Sequence, residues 1–122
     1  YIYDGHDFAE QFIKDLSSAT SEIVISAPRV SRIANPKVAM AIRDRLAIGI
    51  GVRIITSEET FDRGLFDLNI EVVHTESCST HFAVIDKSIC WYGDINLLGY
   101  NASECTALRL WDRAIAEELI KR

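Results

Sequence analysis

Ser79-Thr-His-Phe-Ala-Val-Ile-Asp86, followed by Trp91-Tyr-Gly-Asp-Ile-Asn96-Leu-Leu-Gly99, is the stretch that decides the fold. One apolar run ends in Asp86, and a second ends in Gly93 with Asn96 three residues on. The spacing predicts two neighbouring strands, 81–86 and 88–92, joined tightly through Lys87. Side chains alternate along a strand, so Ser79 and His81 project together if the strand starts early enough, and Asp86 lies on the other parity at its far end. Ser79, His81 and Asn96 would then gather at one sheet edge, able to hold an anion.

The rest of the chain supplies layers for that hairpin. Phe8, Phe12, Ile13 and Leu16 recur at helical spacing, which predicts a helix over 7–19 with Asp7 as cap and Glu10 as its capping-box partner. Glu22-Ile-Val-Ile-Ser26 reads as a strand closed by Pro28. A loop over 29–35 carries Arg29 and Arg32. Asn35 and Pro36 open a second helix striped by Val38, Ile42 and Leu46, with Gly49 and Gly51 as its stop. Strands follow at 52–56, 70–74 and 106–110, with an irregular or helical crossover over 58–67. Asp112 caps a closing helix with Ile115, Leu119 and Ile120 facing inward. Helices alternating with strands predict an α/β fold, a mixed sheet of about six or seven strands flanked by helices on both faces.

Bulk numbers fit this reading. The 122 residues, 48% hydrophobic and 25% charged, suit one globular domain, 1–122. The chain begins at Tyr1 without Met, so a fragment of a longer protein is expected. A net charge of −5 argues against a free-standing nucleic-acid binder. Three cysteines cannot all pair; Cys90 and Cys105 read as buried thiols, and a reducing cytoplasm fits them. No apolar run reaches the roughly 20 residues of a membrane span, so no membrane partner is expected.

The motif stretch resembles H-x-K-x(4)-D-x(6)-G-S-x-N, the signature of the phospholipase D superfamily. The similarity extends to Ile2-Tyr-Asp-Gly5, the Ile-Val-Ile-Ser26 strand, Gly-Val-Arg-Ile54 and Trp91 to Gly99, as in modules at the ends of bacterial helicase- or ATPase-type DNA-processing proteins. The resemblance implies a phospholipase D-like half and a phosphodiesterase or nuclease ancestry. It also marks a degenerate motif, because Asp86, Gly93 and Asn96 match while three positions do not. Ser79 stands where the nucleophilic His belongs, and a serine needs an activating base to attack phosphorus. His81 stands for the phosphate-binding Lys and can replace it only when protonated or as a neutral donor. Asp94 stands for Ser, and its charge would repel a phosphodiester.

By position, Ser79, His81 and Asn96 are the expected phosphate-binding residues. His81 and Glu104 are the catalytic candidates, Glu104 in the place of a Glu that orients the attacking His. Asp86, Gly93 and Asp94 are structural motif positions. No metal or cofactor is expected; the spacing His74-x(3)-Cys78-x(2)-His81 is short enough to arise by chance. Single-motif members complete their site as twofold dimers, which implies a homodimer here, with nucleic acid or a phosphodiester reached through the parent protein.

Two functions follow. One is a catalytically inert module for binding or dimerisation within a helicase-like DNA-processing protein. The other is a phosphodiesterase or nuclease using His81 in a dimeric site. The missing nucleophile favours the first, and enzyme activity of the isolated domain is not the expectation. Exposed arginine is the default for Arg29 and Arg32. Trp91 and Tyr92 read as core or dimer packing. Asp15, Glu22, Glu58, Glu59, Glu117 and Glu118 read as solvated faces.

Overall fold

The computed structural model describes residues 1–29, 35–58, 63–66 and 69–121. In chain order the elements are β1 (Ile2–Asp4), α1 (Phe8–Ser18), β2 (Glu22–Ser26), α2 (Pro36–Ala47), β3 (Gly51–Thr56), β4 (Glu71–His74), β5 (His81–Ile85), β6 (Ile89–Gly93), β7 (Thr106–Trp111) and α3 (Arg113–Ile120), with a 3₁₀ turn at Arg63–Leu65. The strands form one seven-stranded sheet in the order β1-β7-β6-β5-β2-β3-β4. β2, β3 and β4 run parallel, and β5, β6, β7 and β1 continue the sheet antiparallel.

The α/β expectation holds, with helices on both faces. Alternation along β2 and β5 sorts their side chains. Ile23, Ile25, Ala83 and Ile85 join Phe8, Phe12, Leu16, Val38 and Ile42 under α1 and α2. Val24, Phe82, Val84 and Cys90 join Ala116 and Leu119 under α3. Burying each of the Val, Leu, Ile and Phe side chains among these is worth roughly 1.5–3 kcal/mol.

Several local expectations are corrected. β1 is too short to announce itself, and it forms because Ile2, Tyr3 and Asp4 pair with Leu108, Ala107 and Thr106. Asp7 precedes α1 but makes no side-chain cap. Its Oδ1 instead accepts from Asp4 N–H at 2.7 Å, while Asp4 Oδ1 accepts from the N–H groups of His6 and Asp7. Glu10 pairs with Lys14 at 3.7 Å. Gly49, at φ +88°, ends the α2 region, whereas Gly51 opens β3. Ile115 is 41% exposed, because Ala116 and Leu119 form the packed stripe of α3. Cys105 is only half-buried, unlike Cys90.

Asp15 is the largest correction. It lies on the buried stripe of α1 and is 3% exposed. Arg109 grips it twice, Nε to Oδ2 at 2.7 Å and a terminal nitrogen to Oδ1 at 2.8 Å. Trp91 Nε1 donates to Oδ2 at 2.8 Å and Gln11 Nε2 to Oδ1 at 2.9 Å. The hydrogen bond to Asp15 holds the Arg109 guanidinium above its ordinary pKa against the opposing effect of burial. Trp111, 58% exposed, covers the guanidinium, with its ring centroid 4.1 Å from Cζ.

Candidate functional site

The β5–β6 hairpin places the motif at its two ends. At the turn, Ser88 N–H closes on Ile85 O at 3.1 Å. The two central residues, Asp86 and Lys87, both have φ of 55°, the left-handed backbone that primed hairpin turns require. Asp86 then reaches back to the start of β2. Its carboxylate accepts from the backbone N–H groups of Thr20, Ser21 and Glu22 at 3.0, 2.8 and 3.1 Å, and from Ser21 Oγ at 2.9 Å. Partial burial alone would raise its pKa, but these donors together hold it below the ordinary carboxylate value.

At the opposite end, β5 opens at His81, paired with Gly93 of β6. Gly93 has no room for a side chain, since a Cβ would stand 2.3 Å from Thr106 O. Asp94 follows and clasps the start of β7. Its N–H donates to Thr106 O at 3.0 Å, and its Oδ1 accepts from Thr106 N–H at 2.7 Å. His81 is half-buried, and its Nδ1 is buried with no hydrogen-bond partner among the described residues. Burial pushes the imidazole below the usual histidine range, and the Asp94 carboxylate pulls part of that shift back. Burial therefore favours the neutral ring.

Ser79 does not share a strand face with His81, because it precedes β5. Ser79 is exposed and lines a cleft of about 200 Å³ with Ser26, Thr75, Ser77, Cys78 and Thr80 over Ile55 and Phe82. Ser79 has no hydrogen-bonding base among the described residues. Ser26, 1% exposed, donates its Oγ–H to Thr80 O at 2.7 Å, with Cys78 Sγ 3.3 Å away. This hydroxyl-lined cleft is absent from the motif reading. Its residues come from β2, β3, β5 and the segment before β5, and only tertiary contact joins them.

Asn96 is engaged in holding loops together. Its Nδ2 donates to Arg29 O at 2.8 Å, and its Oδ1 accepts from Leu98 N–H at 3.2 Å. Asn101 brackets its backbone through two further bonds of 2.8 and 2.9 Å. Glu104 is exposed, with Ser103 Oγ at 3.5 Å. Arg29 is exposed, while Arg32 and Glu59 lie outside the described residues. Trp91 is fully buried and Tyr92 is 41% exposed. The structure thus sets His81 opposite Gly93, next to Asp94 in sequence, and joins Asn96 to the loop after β2. It sets Ser79 in a cleft that His81 does not line. Among the described residues no group of three or more His, Cys, Asp or Glu could hold a metal ion, and no helix is long and apolar enough to cross a membrane.

Sheet order, helix placement and motif frame together define a phospholipase D-like fold. Among solved structures the chain is similar to NucT from Helicobacter pylori, with a TM-score of 0.78 at 18% identity over 99% of this chain and 90% of that one. It is similar also to Nuc from Salmonella typhimurium, a phospholipase D family member, with a TM-score of 0.76 at 14% identity over 99% and 88%. A third likeness is to TrmBL2, an archaeal chromatin protein described as having a novel mode of DNA binding. There the TM-score is 0.63 at 12% identity, over 99% of this chain and 48% of that one. No protein-family model matches the chain, and no curated protein matches it in sequence.

Proposed function

We propose that this chain is a catalytically silent phospholipase D-like domain, an accessory binding or dimerisation module of a larger DNA-processing, helicase-like protein. The observation that carries the reading is the state of the motif edge. Phosphoryl transfer through this fold requires an attacking group with a base and fixed positive charge on the phosphate oxygens. Ser79 has no base among the described residues, and burial disfavours the charged form of His81 that phosphate binding would need. The Asn96 carboxamide already spends one N–H on Arg29 O and its oxygen on Leu98 N–H. What remains is a motif edge where Asn96 binds the chain's own loops, while Ser79 and the His81 ring bind none among the described residues.

The accessory role draws support from the likeness to TrmBL2, where this fold occupies about half of a DNA-binding chain. A homodimer is the assembly the motif resemblance suggests, and nucleic acid would be reached through the parent protein. Cleavage of bis-p-nitrophenyl phosphate and of single- and double-stranded DNA tests the reading. The purified chain is expected to show no turnover above His81→Ala. Turnover that disappears in His81→Ala would establish the alternative, a phosphodiesterase using His81. Sedimentation equilibrium decides the dimer, and a monomer at high concentration would remove that part of the proposal.

A further inference from the structure

We propose that His81 is the moving part of an acid-sensitive latch at the motif edge: neutral, the ring stays in its half-buried seat; protonated, it turns out onto the Asp94 carboxylate. The device concerns the seat of one ring and would operate in an inert or an active domain alike.

The structure shows the first position and a carboxylate next in sequence to the residue that His81 pairs with. In the seat, Nδ1 is buried and meets no partner among the described residues. A neutral imidazole has one nitrogen with a hydrogen and one with a lone pair. A lone pair at Nδ1 leaves only an unmet acceptor. Protonation places an N–H on both nitrogens, so the seat would then hold a charged donor without an acceptor, which is far more costly. The acceptor that relieves it is close by. Asp94 follows Gly93, the ladder partner of His81, and its charge already acts on the ring. Thr106 N–H occupies Asp94 Oδ1, while Oδ2 has no partner among the described residues. An imidazolium can therefore pair with Asp94 without dismantling the clasp on β7.

The other elements around the ring offer little competition. Beyond the last β2–β5 pair, Ser26 with Phe82, the chain continues through Ala27 and Pro28 to the exposed Arg29. Cys78 and Ser79 precede His81 on its own segment, and Glu104 stands exposed in the turn before β7. Among the described residues Asp94 is the group whose charge acts on the imidazole.

Long-range nitrogen–proton spectra of the ¹⁵N-labelled chain, from pH 8 to pH 5, test the latch, with the exposed His6 and His74 as references in the same spectra. The His81 midpoint should lie below the ordinary 6.5. It should fall further in Asp94→Asn, which removes the stabilising charge and keeps an acceptor for Thr106. Ring contacts should move toward Asp94 and Thr106 on acidification. A midpoint at or above 6.5, a midpoint unmoved or raised in Asp94→Asn, or ring contacts unchanged across the range would each overturn the proposal. If Asp94→Asn does not fold, the midpoint and the ring contacts of the unaltered chain still decide it. None of these readouts depends on phosphodiester cleavage, so the latch and the silent-domain reading can fail separately.

Discussion

Two polar centres sit in this sheet, and they are built in opposite ways. The Asp15 centre beneath α1 is fully buried, and both carboxylate oxygens are occupied, by Arg109, Trp91 and Gln11. The His81 centre at the motif edge is half-buried, and its Nδ1 has no partner among the described residues. The first joins α1 to β6 and β7 across distant parts of the chain. Among the described residues the second makes no hydrogen bond through its side chain. A polar group built into the fold has its bonding capacity filled, because low local dielectric makes each vacancy expensive. The described structure leaves the bonding capacity of His81 unfilled.

Substitutions can sharpen or break this contrast. The largest effect is expected for Asp15→Ala, which strands the Arg109 guanidinium in the core. Losing one partner of a buried pair costs about 3–5 kcal/mol. Urea unfolding followed by circular dichroism would measure it, with Trp91 emission reporting the loosened contact. A loss below about 1 kcal/mol, the value of an exposed pair, would erase the distinction between the centres.

Asp86→Ala should come next. It removes the acceptor of three backbone N–H groups and puts alanine at φ 55°. The expected loss is about 1–3 kcal/mol. Asp86→Asn should lose less, since asparagine tolerates the left-handed backbone and retains an acceptor. The folded-state pKa of Asp86 lies below the ordinary 3.8. Its contribution is thus present above 3.8 and lost as pH falls through the lowered folded value. The gap between the unaltered chain and Asp86→Asn should close over that acidic window, and a gap constant with pH would refute the assignment.

His81→Leu should have the smallest effect at pH 8, within about 1 kcal/mol in either direction, because replacing an unsatisfied polar group by an apolar one is nearly neutral. Its pH dependence is the informative part. The folded-state pKa of His81 lies below the unfolded 6.5, so folding favours the neutral ring. Stability is then full above 6.5 and declines as pH falls from 6.5 toward the folded value. Thermal unfolding of the unaltered chain should weaken across that window more than that of His81→Leu. Parallel curves would show that protonating His81 costs the fold nothing.

Much of the fold was readable because it rests on periodicity. The stripe Phe8, Phe12, Leu16 and the β-branched run of β2 announce a helix and a buried strand, and both are found. Asp15 was misread although it lies one residue from Leu16 on that same stripe. Its type suggested solvent, and its partner Arg109 is 94 residues away. The site was less legible still. Alternation grouped Ser79 with His81, but β5 begins at His81, and parity has no force outside a strand. Asn96 matched its motif position, yet no spacing rule shows that its amide is taken by Arg29 O and Leu98 N–H.

The sequence by itself determined the layers and the hairpin. Those are properties of residue type and local period, written directly in the chain. Only the tertiary structure decided which polar groups are spent on the fold and which stay free. A hydrogen bond depends on distance and direction between atoms that are remote in sequence, and burial sets what an unmet one costs. That is why Asp15, outwardly a surface acid, is a keystone, while His81 has a buried nitrogen with no partner among the described residues.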